Sequence, residues 1–245
     1  MEHYVILILI LSVSAFLQSI AGFGFSLIAL PLMLTANVGF VDAVMLCVVC
    51  SAFQKIISLI CLREHIDRVL IKQLLLWGCV GVVLGVACLH YVAALTPAVV
   101  KKIVAILILF ILAIRWLVKL KPLEQSCCLL NFLASFTGGF LCGFANIGGP
   151  PMVMLSLCYN WTAPQMRVMV LAFVTFLMPV QLITMLLTFG DKVLAPGVQG
   201  LSFAPVVILF SYAGVRAGNR LNVSAIRVVM TGLLIIIAVV NLFVV

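Results

Sequence analysis

Two stretches of this chain set glycine, proline and a few polar side chains inside long apolar runs, and the chemistry they offer is anion binding by backbone amides. The first reads Ala21-Gly22-Phe23-Gly24-Phe25-Ser26-Leu27-Ile28-Ala29-Leu30-Pro31, and the second Cys142-Gly143-Phe144-Ala145-Asn146-Ile147-Gly148-Gly149-Pro150-Pro151. Gly22 and Gly143 are 121 residues apart, close to half of the 245. A helix broken at such a place leaves the first N–H groups of its second arm unpaired, and the aligned peptide dipoles put partial positive charge there. In the first stretch an arm beginning near Phe25 or Ser26 would present those amides. Gly22 and Gly24 would allow close approach, and Ser26 would add a hydroxyl donor. In the second stretch an arm beginning near Pro150 would do the same, with Gly148 and Gly149 at the turn; proline suits a first helical turn because its missing N–H is no loss there. Two such ends, one from each half, would hold a small oxyanion without any fixed charge. The competing reading is that the glycines only let helices pack tightly.

Polar side chains inside the apolar runs are few, and ionisable ones are expensive there, so each is a functional candidate. Lys55, beside Gln54, lies eight residues from Arg63, some 12 Å of helix. It either pairs with an anion or snorkels to the interface. Gln18 and Asn146 near the two breaks, and Gln181 further on, have amide donors for an oxyanion and equally the means to link helices. Arg167 and Asp42 start corresponding helices and suit anchoring or gating. Of the nine cysteines, Cys47 and Cys50 form a C-x-x-C with no second pair and no nearby His, which points to packing instead of zinc. Cys142, at the second break, is placed either to meet a sulfur-containing substrate or to pack inertly. No phosphate loop, H-E-x-x-H or G-x-S-x-G is present. The sequence therefore carries no expectation of an enzyme, a cofactor or a metal site. The formal charge of +8 comes mostly from loops and does not imply nucleic-acid binding.

These residues must be positioned by membrane helices. Hydrophobic residues make up 66% and charged residues 8%, with mean hydropathy +1.41, against roughly 45–50% and 25% in soluble domains. The composition implies an all-α polytopic transmembrane bundle in a single domain, 1–245, with no stretch polar enough for a separate soluble module. The N-terminus lacks the positive n-region of a cleavable signal peptide, so the first apolar segment reads as retained. Apolar segments run at approximately 4–20, 25–36, 41–62, 69–92, 98–120, 127–143, 150–160, 164–189, 196–214 and 225–245. Six are long enough to cross alone; the other four form two broken pairs around the glycine motifs, each a bent span or a re-entrant hairpin. With bent spans the Lys and Arg residues divide seven against six, whereas returning hairpins divide them ten against three. Cytoplasmic loops carry the basic excess, which favours hairpins, inverted halves and both termini outside. The halves would be repeat 1, about 4–120, and repeat 2, about 127–245. Gly85 and Gly214 occupy corresponding places before the last helix of each. Interrupted helices at matching places in two halves are the sequence pointer to a transporter's binding site.

At Gly22-Phe23-Gly24-Phe25 through Pro31, at Gly143 through Pro151, at the basic loop from Arg63 to Arg68 and at Gly85 and Gly214, the sequence resembles the sulfite exporter TauE/SafE family of membrane permeases. The resemblance covers essentially the whole chain. It implies export or uptake of small anions such as sulfite, sulfoacetate or other organosulfonates, and a bacterial inner membrane. The expectation is a secondary carrier for a small sulfur-containing or carboxylate anion. It would work by alternating access, driven by an ion or proton gradient, within a lipid bilayer. Two other classes remain open. A membrane-embedded thiol or redox protein would need a convergent His, Asp or cofactor set around Cys142. A structural membrane protein would have no use for two interrupted helices.

Overall fold

Long apolar runs fold as helices because a bilayer offers backbone polar groups no other partner. A computed structural model of the chain describes residues 2–21, 24–62, 67–117, 128–159, 161, 163–218, 232 and 235. Among the described residues the regular structure is helical, without a strand. The helices are α1 (Glu2–Ala21), α2 (Phe25–Thr35), α3 (Phe40–Leu62), α4 (Arg68–Ala93), α5 (Pro97–Leu117), α6 (Cys128–Ala145), α7 (Gly149–Cys158), α8 (Ala163–Phe189) and α9 (Leu194–Gly218). A 3-10 turn at Gly190–Val193 separates the last two. Val69–Ala93, Pro97–Ile114, Cys128–Ala145 and the 50-residue stretch Val168–Ala217 are long and apolar enough to cross a membrane. The chain is a multi-pass membrane protein. Its helices are apolar on more than one face, and large side chains such as Leu76, Val83, Ile106, Phe110 and Leu209 are exposed, as lipid-facing residues are. The expected last segment, 225–245, falls almost entirely outside the described residues, as does Gly22.

Helix ends carry local explanations. Asp67 caps α4, its Oδ1 accepting from the backbone N–H groups of Val69 and Leu70 at 3.0 Å each, which satisfies two otherwise orphaned donors. α2 ends on Asn37 in the left-handed region (φ 59). Val38 N–H reaches back to the Met33 carbonyl at 3.0 Å, the bond expected where a left-handed residue closes a helix.

The chain divides into two compact units, each drawing on both halves of the sequence. The first comprises Met1–Gln54, Tyr91–Ile114 and Lys192–Val245. Here α1 packs against α2 and α9. Gly214 lies so close to α1 that a Cβ on it would come within 2.5 Å of the Phe16 carbonyl oxygen. The second comprises Lys55–His90 and Arg115–Asp191, and its centre is a crossing of α4 with α6. A Cβ on Gly81 or Gly85 would fall 2.3 Å or 2.2 Å from the Phe136 or Phe140 carbonyl oxygen, and one on Gly139 or Gly143 would fall 2.1 Å or 2.2 Å from those of Gly78 or Val82. Two small-x-x-x-small pairs thus bring the helices into backbone contact.

Within this second unit α7 runs back alongside α6. Gly148 and Met152 of the turn and short arm lie against Gly138, and the Tyr159 hydroxyl, just past α7, donates to Asn131 Oδ1 near the start of α6 at 2.7 Å. The second broken pair is a returning hairpin.

Three sequence details are corrected. Gly143 is not part of the break: α6 continues to Ala145, and the glycine is needed where the helix meets Val82. Pro31 does not end the first motif but lies buried inside α2. The helix ends also set a spacing different from that of the glycines. From Ala21 to Ala145, where the first arms stop, and from Phe25 to Gly149, where the second arms start, the separation is 124 residues in each case. That register pairs Gly24 with Gly148.

Candidate functional site at the helix breaks

The second break is built from the last turn of α6 outward. Asn146 adopts φ 56, a left-handed conformation that asparagine tolerates better than other side-chain-bearing residues. Its N–H bonds the Cys142 carbonyl at 2.8 Å, and the next N–H, of Ile147, reaches the Leu141 carbonyl at 3.0 Å. Gln181, fully buried on α8, gives the Cys142 carbonyl a second donor, its Nε2 at 2.6 Å. The Cys142 thiol donates in turn to Gln181 Oε1 at 3.4 Å. One side chain from α8 therefore fixes the end of α6. Lys55 from α3 completes the group, its Nζ donating to Asn146 Oδ1 at 3.3 Å. Both are buried, with Lys55 7% and Asn146 6% exposed.

α7 then opens on Gly148 as N-cap and Gly149, with Pro150 and Pro151 in its first turn. Proline has no N–H, so two donors that a helix start normally presents are missing. Gly148 and Gly149 supply the amides of this end. The two glycines differ in their surroundings. A Cβ on Gly148 would meet the Gly138 carbonyl oxygen at 2.9 Å, whereas one on Gly149 would meet nothing within 4 Å. Packing accounts for Gly139, Gly143 and Gly148. It leaves Gly149 unexplained.

The first break, in the other unit, has a different chemistry. Gly24, the N-cap of α2, sits at φ 101, a conformation that a residue with a Cβ rarely adopts. Phe25, Ser26 and Leu27 follow without a proline, so all three backbone amides are present, and Phe25 and Ser26 are 3% and 4% exposed. Gln18, 8% exposed on the last turn of α1, has a buried carboxamide oxygen that nothing among the described residues hydrogen-bonds; the Ser12 hydroxyl shares that condition. Such groups are rare in folded proteins because desolvating them without a partner is unfavourable.

Gln54 holds the long arm of the first break much as Gln181 holds that of the second. Its Nε2 has three acceptors within reach of its two N–H donors: the Ala15 carbonyl at 3.3 Å, the Ser19 hydroxyl at 2.7 Å and the Ser211 hydroxyl of α9. The sequence marks Gln54 only as a neighbour of Lys55. A carboxamide inside an apolar helix was the available signal for its role. The cysteine pair of α3 is buried and unlinked, and the Cys50 thiol donates to the Gly200 carbonyl at 3.5 Å.

Of the candidates from the sequence, Lys55, Asn146, Gly148, Gly149, Pro150 and Gln181 gather in the second unit, at or behind the second break. Gln18, Gly24, Phe25 and Ser26 belong to the first. Comparison with curated proteins and with solved structures returns no match. The model of the family described as Sulfite exporter TauE/SafE matches residues 6–241, nearly the whole chain, and the chain belongs to that family of membrane transport proteins.

Proposed function

We propose that this protein is a secondary carrier for a small anion, sulfite, an organosulfonate or a related carboxylate, working by alternating access in a bacterial inner membrane and driven by an ion or proton gradient. The halves at about 4–120 and 127–245 are its repeats. The equal 124-residue spacing of both helix ends at the breaks supports that duplication. The anion is drawn to the Gly24, Phe25 and Ser26 start of α2 and to the Gly148 and Gly149 start of α7, where helix dipoles and amide donors favour negative charge. Gln18 offers a further polar group, and Pro150 fixes the first turn of α7. Gln181 acts by holding the end of α6.

The observation that carries this reading is the second break. There an N-terminal helix end with open space at Gly149 follows a residue, Asn146, that is hydrogen-bonded by a buried ammonium group. Buried ionisable groups in membrane helices mark ion and substrate paths. Purified protein in proteoliposomes, tested with labelled sulfite, methanesulfonate and acetate, is expected to catalyse uptake or exchange of at least one of them above protein-free vesicles. Absence of flux for all three, in both directions and with proton or sodium gradients imposed, would overturn the proposal.

A further inference from the structure

We infer that the first break selects small anions that carry a hydroxyl of their own, with Gln18 Oε1 as the acceptor that reads it. The inference rests on the anion-carrier reading above and names the substrate class of that site.

Gln18 is 8% exposed, and its carboxamide oxygen is buried with no hydrogen-bond partner among the described residues. A buried acceptor in that condition points to a donor that the protein itself does not supply. Its place can be read from the other break. Gln18 stands three residues before the end of α1 and six before Gly24, the N-cap of α2; Cys142 stands three before the end of α6 and six before Gly148, the N-cap of α7. A Cβ on Gly148 would meet the Cys142 Cβ at 3.0 Å. This position of the long arm therefore lies against the entry to the short one. By the same spacing Gln18 is set against the entry to α2, with which α1 packs. In the second unit the residue at this position is a thiol already bonded to Gln181 Oε1. In the first it is a carboxamide with an oxygen to spare.

The start of α2 supplies the opposite chemistry. Phe25, Ser26 and Leu27 keep their N–H groups, which the first turn of a helix directs along its axis toward negative oxygens, and they are 3%, 4% and 3% exposed. A plain sulfonate or carboxylate suits such donors and offers nothing to Gln18, because its oxygens only accept. Its lone pairs would also face those of the carboxamide. An anion with a hydroxyl on its carbon chain satisfies both, its charged oxygens on the amides and its O–H on Oε1. Among the described residues of this unit no carboxylate is buried, so the acceptor is neutral and suits a neutral O–H better than an ammonium.

The test uses pairs of anions that differ only in a hydroxyl replaced by a methyl group: glycolate against propionate, and 2-hydroxyethanesulfonate against 1-propanesulfonate. Each is added unlabelled to proteoliposomes that move a labelled anion transported by the wild type. We expect the hydroxyl member of at least one pair to compete about tenfold or more better than its methyl partner, which leaves the buried oxygen unpaired. Gln18→Leu, verified as monodisperse by gel filtration, should lose that preference while still binding the methyl member. Equal competition within both pairs, including none at all, or a preference for the methyl members would overturn the inference and leave the carrier reading intact. That measurement needs no variant. A folded Gln18→Leu protein that retains the hydroxyl preference would overturn it as well. Absence of flux with every anion would remove the carrier reading and the inference together.

Discussion

The Tyr159 hydroxyl donates to the Asn131 carboxamide oxygen at 2.7 Å, joining the residue that follows α7 to the fourth residue of α6. Between them lie most of α6, the break and all of α7. For the bond to form, the ten-residue α7, about 15 Å long, must descend beside the eighteen-residue α6 that precedes it. A single bent span would carry Tyr159 away from Asn131 by the combined length of both arms.

Sidedness follows from this hairpin. Residues just before α6 and just after α7 are expected on one side of the membrane, and those at the far end of the 27-residue α8, some 40 Å long, on the other. In a background without other cysteines, native Cys128, which is exposed, and Trp161→Cys should react with a membrane-impermeant maleimide from the same side. Lys192→Cys should react only from the opposite side. Labelling of positions 128 and 161 from opposite sides would reject the hairpin.

The helices were legible in the sequence because apolar runs bounded by charge or proline have few ways to fold in lipid. The segment expected at 41–62 is Phe40–Leu62, and that at 164–189 is Ala163–Phe189. The breaks were legible as places but not in their details. Glycine serves both turns and close packing, and no spacing rule separates them. Only the Val82 carbonyl beneath Gly143 assigns that residue to a helix crossing. The pairing of Lys55 with Asn146 spans 91 residues and joins helices from different halves, so no local periodicity encodes it. Its signal was the cost of a lysine in an apolar run. That signal marks the residue and leaves its partner open.

Glycine substitutions should separate fold from function. Gly139→Val and Gly81→Val would force carbons against the opposing backbone, which cannot move aside as a side chain can. Overpacking of this kind costs about 1–3 kcal/mol or more, so both variants should show lowered melting temperatures in detergent and poor recovery. Gly149→Ala should melt close to wild type, since its Cβ would meet nothing within 4 Å, and Gly149→Leu should impair flux more than stability. A severe folding defect in Gly149→Ala would place that glycine among the packing residues.

Gln181 should act through α6. In Gln181→Leu the Cys142 carbonyl keeps the Asn146 N–H and loses the second donor, and the thiol loses its acceptor. Loss of about 1 kcal/mol is expected, the central net value for a hydrogen bond, because the carbonyl is not left without a partner. Cys142 should also be alkylated faster by a membrane-permeant maleimide as the last turn of α6 loosens. Unchanged alkylation with a lowered melting temperature would mean that Gln181 stabilises α8 without holding the break.

Gly24 isolates backbone conformation from space. A Cβ there would have Leu27 Cδ1 as its nearest contact, at 3.7 Å, an ordinary distance, yet φ 101 is strained for any residue with a side chain. Strain of this type costs on the order of 1–3 kcal/mol. It should grow from asparagine, which visits positive φ most readily, through alanine to a β-branched residue. Melting temperatures should therefore fall in the order wild type, Gly24→Asn, Gly24→Ala, Gly24→Val. Flux should fall in the same order, because relieving the strain turns the first amides of α2 away from the orientation that the glycine permits. If Gly24→Val melted and transported like wild type, α2 would not depend on a left-handed entry, and the amides of Phe25 and Ser26 would lose the feature that aims them.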